Sequence, residues 1–347
     1  MTAIPPPKNT VPAFIDRWHE SQPNNPRPHL GCSMLGHHCD RYLWLSFRWA
    51  FKKQFSGRML RLFRRGQNEE ATVVEDLRAI GCAVVDTDKH GNQLRVDFGR
   101  HVSGSMDGQV EGIPEAPKTW HILEIKTHNA KSFKDLAAKG VKASKLMHWA
   151  QMQVYMLGTD LDRALYFAVC KDDDSIYTER VRIDKKEAEE LVQRGHRITM
   201  SDRMPEPCLG ASPDWYQCKF CDAYSFCHET QTTDQVNCRT CLHSTAKPDS
   251  TWHCERWGAS VPYHGQIQGC PSHAVHPDLI PHKLIGGNED GHSAVYDVNG
   301  QQVINGENGV SSVHFLASPE VVASEPVRMI TKAFNATIIK VDKADAQ

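Results

Sequence analysis

The chain carries almost no net charge and has no long apolar run. Lys and Arg number 40 against 42 Asp and Glu, leaving a formal charge of −2. No global field therefore favours nucleic acid, and any anion-binding surface must be a local patch. No stretch of 18 apolar residues occurs, so no transmembrane helix is expected. The opening segment Met1–Lys8 is proline-rich and lacks the apolar stretch of a secretory signal. Without that signal the chain is expected in a reducing cytoplasm, the host cell's if it is phage-encoded, where disulfides are disfavoured. No internal repeat is visible.

In such a compartment the 12 cysteines need another explanation. Eight fall into clusters, and metal binding is the natural reading. Cys218-x2-Cys221-x5-Cys227 supplies three thiols from one loop, and Cys39, in Gly36-His37-His38-Cys39-Asp40-Arg41, is a candidate fourth, with Cys32 competing. A second set, Cys238-x2-Cys241-x12-Cys254-x15-Cys270, has the look of a small zinc ribbon. Trp252, Trp257 and Tyr263 could supply its core, and His243, His253, His264 and His273 are spare ligands. Its few basic residues (Arg239, Lys247, Arg256) argue against a dominant phosphate-binding role. The isolated Cys32, Cys82, Cys170 and Cys208 read as small buried apolar residues.

The order of elements predicts an α/β or α+β core, a mixed central sheet flanked by helices. Residues 1–30 read as an N-terminal arm, 31–230 as the main domain, 231–284 as a small Cys-rich appendage and 285–347 as a β-rich tail. A helix is expected from Cys39, with Leu43, Trp44, Phe47 and Phe51 on its stripe, and a second from about Asn68 to Ile80, after Gly66. Between them Arg58, Arg61, Arg64 and Arg65 form a local basic cluster that could grip phosphates. Strands are expected at 82–86 and 94–98 as one hairpin, and at 102–110 and 120–127 as another. Helices at 132–139 and 145–157, strands at 164–170 and 175–183, and a helix at 185–200 follow.

Glu124-Ile125-Lys126 sits on one of these strands. Residues two apart share a face, so Glu124 and Lys126 project together with Ile122, while Leu123 and Ile125 face the opposite layer. Asp107, placed on the partner strand, comes close enough for two carboxylates to repel and to attract a hard divalent cation such as Mg²⁺ or Mn²⁺. A lysine beside them can orient or help deprotonate an attacking water, which gives the parts for metal-assisted phosphodiester hydrolysis. The motif alone is short, and a surface strand with a charge pair explains it equally well. Asp184-x-Lys186 is a decoy expected to open a helix. Two helical features add weight. Gln151 and Tyr155 lie at i and i+4 on one face, and the Glu69-Glu70 pair could supply a further metal ligand or merely compensate a helix dipole. His128, just past the strand end, reads as a polar loop residue.

In this order the motifs resemble the RecB-like branch of the PD-(D/E)XK nuclease superfamily over about residues 30–230. Gly66–Glu70 is similar to its first motif, Asp107 to its second, Glu124-Ile125-Lys126-Thr127 to its third and Gln151–Tyr155 to its Q-x-x-x-Y motif. The first-motif histidine of many relatives is absent; Glu70 takes its place, with Glu69 as the alternative. The stretch Glu124–Met156 is similar to phage-type recombination exonucleases. The resemblance implies that Asp107, Glu124, the Ile125 carbonyl and Glu70 hold the metal, that Lys126 handles the water, and that Gln151, Tyr155 and Arg58–Arg65 guide DNA. It also implies a structural [4Fe–4S] cluster on Cys39, Cys218, Cys221 and Cys227, for which Zn²⁺ is the alternative; Zn²⁺ on Cys238, Cys241, Cys254 and Cys270 is expected from their spacing. The expected activity is a DNA exonuclease that prepares ends for recombination or repair, with a single-strand annealing protein as an implied partner. A non-catalytic DNA- or protein-binding factor on the same core, or an endonuclease or nickase, are the competing readings.

Overall fold

The computed structural model describes residues 10–287 and 291–319, together with 323, 324, 327, 329 and 333. The first nine residues of the expected arm and most of the end of the expected tail lie outside the described residues.

Among the described residues, six helices of eight residues or more organise the fold: α1 (Val11–Glu20), α2 (Asp40–Phe47), α3 (Gly57–Ala79), α4 (Ala130–Ser144), α5 (Leu146–Thr159) and α6 (Lys185–Thr199). The strands are β1 (Leu30–Gly31), β2 (Ala83–Val85), β3 (Arg95–Asp97), β4 (Val102–Ser105), β5 (Gly108–Glu111), β6 (His121–His128), β7 (Arg163–Cys170) and β8 (Ile176–Arg182). Beyond them come β9 (Ser244–Ala246), β10 (Trp252–Cys254), β11 (Ala259–Ser260), β12 (Lys283–Gly287), β13 (Ser293–Val298) and β14 (Gln301–Gly306). As the order of elements predicts, the architecture is α+β. The central sheet runs β2-β5-β6-β7-β8 and is antiparallel except for the β6–β7 pair. That parallel pair needs a crossover, and α4 and α5 provide it.

Both faces of the central sheet are covered. Ile122, Ala164, Tyr166 and Ala168 share one apolar layer with α5, whereas Leu123, Ile125, Leu165 and Phe167 share the other with Val73, Val74 and Leu77 of α3. The alternation expected for 122–126 is therefore the one found. Helix α5 is buried from Trp149 to Met156, and its Met152, Val154 and Met156 each contribute about 1.5–3 kcal/mol by leaving water. Helix starts follow local chemistry. Ser56, Asn129 and Asp184 accept backbone N–H groups of Met59, Ser132 and Glu187 at the openings of α3, α4 and α6. Asp184 is thus a helix cap, as the decoy reading has it.

Several expectations change. The two hairpins do not form as drawn: β2 pairs with β5, and β3 with β4, in a separate sheet of order β1-β4-β3. Only a single bridge, Thr87 to Gln93, joins the arms of the first expected hairpin. The expected strand 102–110 breaks at Met106-Asp107, where the chain leaves the small sheet and enters the central one. Helix α3 runs unbroken through Gly66, because one glycine costs only about 1 kcal/mol among strong helix formers; Gly66 faces Thr127 of β6. Residues 11–20 of the expected arm are helical. Residues 231–284, the expected Cys-rich module, pack onto the segment 43–50. Trp252, Ala274, Val275 and Leu279 belong to the same apolar cluster as Leu43, Trp44 and Phe47. Arg239, buried, stacks 3.7 Å from the Trp49 ring centroid and donates to the carbonyls of Phe47 and Pro28 and to the Gln266 side chain.

Candidate active site

The break in the chain at Met106-Asp107 builds the site. Met106 N–H makes the last bond of the small sheet, to Leu94 O at 2.9 Å. Asp107 then turns its carboxylate onto the edge of β6, where Oδ2 accepts the Ile125 N–H at 2.7 Å. Asp107 is therefore at a bend between two sheets rather than within a hairpin strand. A fixed hydrogen bond, not strand pairing, brings it to Glu124 and Lys126.

Tyr155 holds the bend from behind. Its hydroxyl donates to Ser105 O at 2.5 Å and receives the Gln151 amide at 3.2 Å. The close pass of Tyr155 over β4 requires Gly104, where a Cβ would meet Tyr155 Cε1 at 2.9 Å and Cys32 Cβ at 2.8 Å. Gln151 and Tyr155 are 7% and 2% exposed. Their contacts in this structure are with the protein, at Ser105 and with each other. Both act as positioning residues for the segment that carries Asp107.

Glu124 and Lys126 share a face of β6, as their spacing requires. Glu124 is 0% exposed; its Oε1 faces the Lys126 ammonium, and Oε2 has no hydrogen-bond partner. The Lys126 ammonium is ion-paired with Glu124, lies 3.6 Å from Asp107 Oδ2 and donates to Ile125 O at 3.0 Å. Glu70, on α3, is the member of the Glu69-Glu70 pair that feels the Asp107 and Lys126 charges. Burial, helped by Asp107, pushes Glu70 up to about 7. Burial pushes Glu124 up to about 8 despite the lysine beside it. Burial also works against the Lys126 charge, but Glu124 and Asp107 more than offset it, so its pKa moves up. Acidic groups crowded in a dry site around one cation shift each other's protonation, a pattern that marks candidate functional sites.

Beneath the carboxylates lies a network absent from the sequence reading. Tyr166 stands beside Glu124 in the parallel β6–β7 register. Its hydroxyl meets His128 Nε2 at 2.9 Å and His148 Nδ1 at 2.8 Å, and His128 Nδ1 meets Ser132 Oγ at 3.0 Å. Burial, with Lys126 contributing, lowers His148 to about 3, and burial with nearby lysines lowers His128 to about 4. Both rings stay neutral and leave Lys126 to balance the carboxylates. The available signal was His148, Gln151 and Tyr155 at i, i+3 and i+7, a polar stripe on a helix otherwise apolar.

The first thiol set is drawn together across the chain, with one addition. Cys208, expected to be isolated, hydrogen-bonds Cys39, and Cys208, Cys221 and Cys227 all sense Cys39 and Cys218. Cys32 is elsewhere, buried against Gly104 and beside Tyr155, which removes it as the competing fourth ligand. Burial and neighbouring thiols push Cys227 up to about 11 and Cys208 to about 12. In the second set, Cys238, Cys241, Cys254 and Cys270 line one small cavity with His243 and His273. All 12 cysteines are free of disulfides. Among the described residues no group of three His, Cys, Asp or Glu side chains stands in an arrangement that could hold a metal ion. At the acid site the reason is visible: the Lys126 ammonium lies among the Glu124, Asp107 and Ile125 oxygens that would take one.

The four arginines sit on the first half of α3 and, with Leu62 and Asn68, line an open groove. Arg61 is ion-paired with Asp16 of α1, and Arg65 donates to Lys171 O at 2.9 Å. Among the described residues no helix is long and apolar enough to cross a membrane.

No family model and no curated protein matches the chain. Among solved structures it is similar to that of SSO0001, at 14% identity and a TM-score of 0.37 over 62% of this chain and 96% of that one. It is similar to an alkaline exonuclease from Laribacter hongkongensis, at 16% identity and a TM-score of 0.34 over 54% and 90%. A phage related exonuclease from Haemophilus somnus 129PT aligns at 18% identity and a TM-score of 0.32 over 49% and 94%. Likenesses this loose carry no argument, and the functional reading rests on the site itself.

Proposed function

We propose that the chain is a divalent-metal-dependent DNA exonuclease of the PD-(D/E)XK type, which hydrolyses phosphodiester bonds to process DNA ends for recombination or repair. The observation that carries this reading is the place of the Lys126 ammonium. It touches Glu124, Asp107 and the Ile125 carbonyl, the three oxygen groups that the motif assigns to a metal. A cation already selects this spot, the donor set is all oxygen, and Glu124 Oε2 is buried without a partner. Hard divalent ions suit such a set.

Glu124, Asp107, Ile125 O and Glu70 would hold Mg²⁺ or Mn²⁺, which when bound supplies Lewis-acid polarisation of the phosphate and a more acidic water. Lys126, released from its carboxylates, stays on the same face to orient the water and offset charge on the phosphoryl oxygens. Tyr155, through Ser105 O, fixes the bend that aims Asp107. His128 and His148, held neutral, keep Tyr166 fixed beneath Glu124.

The thiols belong to the same proposal in a structural role. Cys39, Cys218, Cys221 and Cys227 hold a [4Fe–4S] cluster or Zn²⁺, tying α2 to the segment that closes the domain. Cys238, Cys241, Cys254 and Cys270 hold Zn²⁺; the small cavity they share with two imidazoles supports that reading.

The test is cleavage by protein purified anaerobically, with Mg²⁺ or Mn²⁺, of linear and closed-circular DNA, with Lys126→Ala as control. Linear DNA should be degraded from its ends and the variant should be inert. Cutting of closed circles would convert the reading to an endonuclease, and cleavage of neither substrate would leave a DNA-binding factor on a nuclease-like core. Metal analysis and the visible absorbance of iron–thiolate bands separate the cluster from zinc.

A further inference from the structure

The second thiol set shares its cavity with a cation. Cys238, Cys241, Cys254 and Cys270 line it together with Arg256 and two imidazoles. The Arg256 side chain is 5% exposed. Its Nη2 is ion-paired with Glu307, just past β14, and its guanidinium lies 4.6 Å from the Trp257 ring centroid. Nε and Nη1 are buried without a hydrogen-bond partner. Charged donors left dry without an acceptor carry a desolvation cost that the Glu307 pair does not recover. Glu307 thus accounts for one nitrogen and leaves the placement of the other two unexplained.

The thiols are the groups on this wall that can become acceptors. Cys241, Cys254 and Cys270 all bear on Cys238. Cys241 Sγ accepts the backbone N–H groups of His243 and Ala274, bonds that favour a thiolate over a thiol. In this structure the sulfurs surround the cavity without forming a ligand shell, and as thiols they offer the guanidinium no charge. A divalent metal binds them only as thiolates, and four thiolates on one such ion leave the site a dianion. The imidazoles are less free than the sulfurs. His273 is held at both nitrogens, Nε2 by Thr240 Oγ1 at 3.1 Å and Nδ1 by Ser312 Oγ at 2.8 Å. His243 Nε2 donates to His292 O at 3.3 Å, so only its Nδ1 is open to another role. His253 and His264 do not line the cavity.

We propose that Arg256 is the counter-ion of this site and fixes its ligands as four thiolates, with His243 and His273 outside the shell. The proposal rests on the zinc reading of this set and names the residue that decides its ligands and its metal. A closed four-thiolate shell has no open coordination position, so the site is structural and hydrolyses nothing. Zn²⁺ suits an all-sulfur site, whereas the Mg²⁺ or Mn²⁺ proposed for the acid site does not. The chain can therefore take up two kinds of metal without exchange between the two sites.

The test is zinc affinity of the whole protein, by competition with a chromophoric chelator. Only the zinc that Cys241→Ser fails to bind is counted, so the first thiol set does not enter. Arg256→Gln should weaken that binding about 10–100-fold, the scale for removing a group that supports a metal's ligands. Arg256→Lys keeps the charge and should recover most of the loss. Cobalt in place of zinc reads the ligands. Its sulfur-to-metal absorption should have the intensity of four thiolates in wild type, Arg256→Gln and His243→Ala alike. Circular dichroism of Arg256→Gln should match wild type; if that chain does not fold, the cobalt spectra of wild type and His243→Ala still decide the shell. Equal losses in Arg256→Gln and Arg256→Lys overturn the counter-ion. A cobalt spectrum altered by His243→Ala and not by Cys270→Ser overturns the four-thiolate shell. Wild type that binds zinc no more tightly than Arg256→Gln sinks this inference alone. Wild type with no more zinc than Cys241→Ser sinks the zinc reading, and this inference with it.

Discussion

At the acid site three carboxylates gather round one ammonium, whereas at the cysteine-rich end thiols gather round each other, and burial pushes those of Cys238 and Cys241 upward. Both regions bury groups that ionise, and both leave them incompletely satisfied. The difference lies in what stands in for a cation. Lys126 comes from the same strand as Glu124, so the acid site folds with an internal counter-ion, which under the proposed function a divalent ion would displace. Thiols such as Cys238, pushed up to about 12 by burial and its neighbours, have no such partner and balance their burial by protonation. A metal should therefore be optional for folding at the first site and integral to it at the second.

The largest effects should come from breaking the internal counter-ion. Lys126→Ala should lower turnover by about 10³-fold, the scale for removing one preorganised charge-stabilising group. It should also destabilise the metal-free protein most above about pH 8, where Glu124 would have to ionise buried and without its ammonium. Pairing it with Glu124→Gln should restore most of the stability and none of the activity. Denaturant melts of the four proteins of this cycle, without metal, give the coupling directly. If Lys126→Ala is as stable as wild type, the ammonium is not acting as a counter-ion.

The second effect sets the two regions against each other. Removing Mg²⁺ with a chelator that leaves zinc bound should abolish cleavage and move the melting temperature little. Cys241→Ser should do the reverse. Stability should fall on the order of several kcal/mol with loss of bound zinc, while the folded fraction retains its cleavage rate. The loss should reach the rest of the domain, because the Cys238–Cys241 turn carries Arg239 into the pocket of Trp49, Phe47 and Trp252. Quenching or shift of tryptophan emission on zinc removal reads that out. An unchanged melt would return residues 231–284 to the status of an appendage.

A third, smaller effect tests how the acid site is aimed. Tyr155→Phe removes the bond to Ser105 O and should cost about 1 kcal/mol of stability. Turnover should fall more than that stability loss suggests, with KM little changed, since Asp107 loses its setting while the DNA surface is untouched. A rise in KM alone would mean that Tyr155 meets DNA after all.

How much of this was legible in the sequence depends on the range of the interaction. The shared face of Glu124 and Lys126, the pairing of Gln151 with Tyr155 and the α+β order follow from period and spacing, which are local. The break at Met106-Asp107 was not legible. It is set by two contacts from distant segments, Ile125 N–H to Asp107 and Tyr155 to Ser105 O, and neither leaves a mark on residues 102–110. The same holds for Tyr166, whose role comes from its register beside Glu124, and for Cys208, whose partner Cys39 lies far up the chain. The arginine cluster was visible as composition.

The subtlest effect is on pH. Glu70 has its pKa raised from 4.5 to about 7 by burial first and by Asp107 second. A carboxyl whose folded pKa exceeds its unfolded one binds its proton more tightly in the native state, so it adds stability at low pH. That contribution is full below about pH 4.5 and is lost as pH rises through about 7. The metal-free protein should accordingly lose melting temperature between these values, and Glu70→Gln should flatten part of the fall. The flattening should be modest, because Glu70 is only partly buried and solvent screens it. A residual slope should persist toward pH 8 from Glu124. With saturating Mg²⁺ the trend should invert, since the ion binds only the deprotonated carboxylates and its affinity therefore climbs with pH. Thermal melts of wild type and Glu70→Gln at pH 5 to 8, with and without Mg²⁺, distinguish the cases. Equal slopes in the two proteins would place Glu70 outside the acid cluster and leave Asp107 and Glu124 to bind the metal alone.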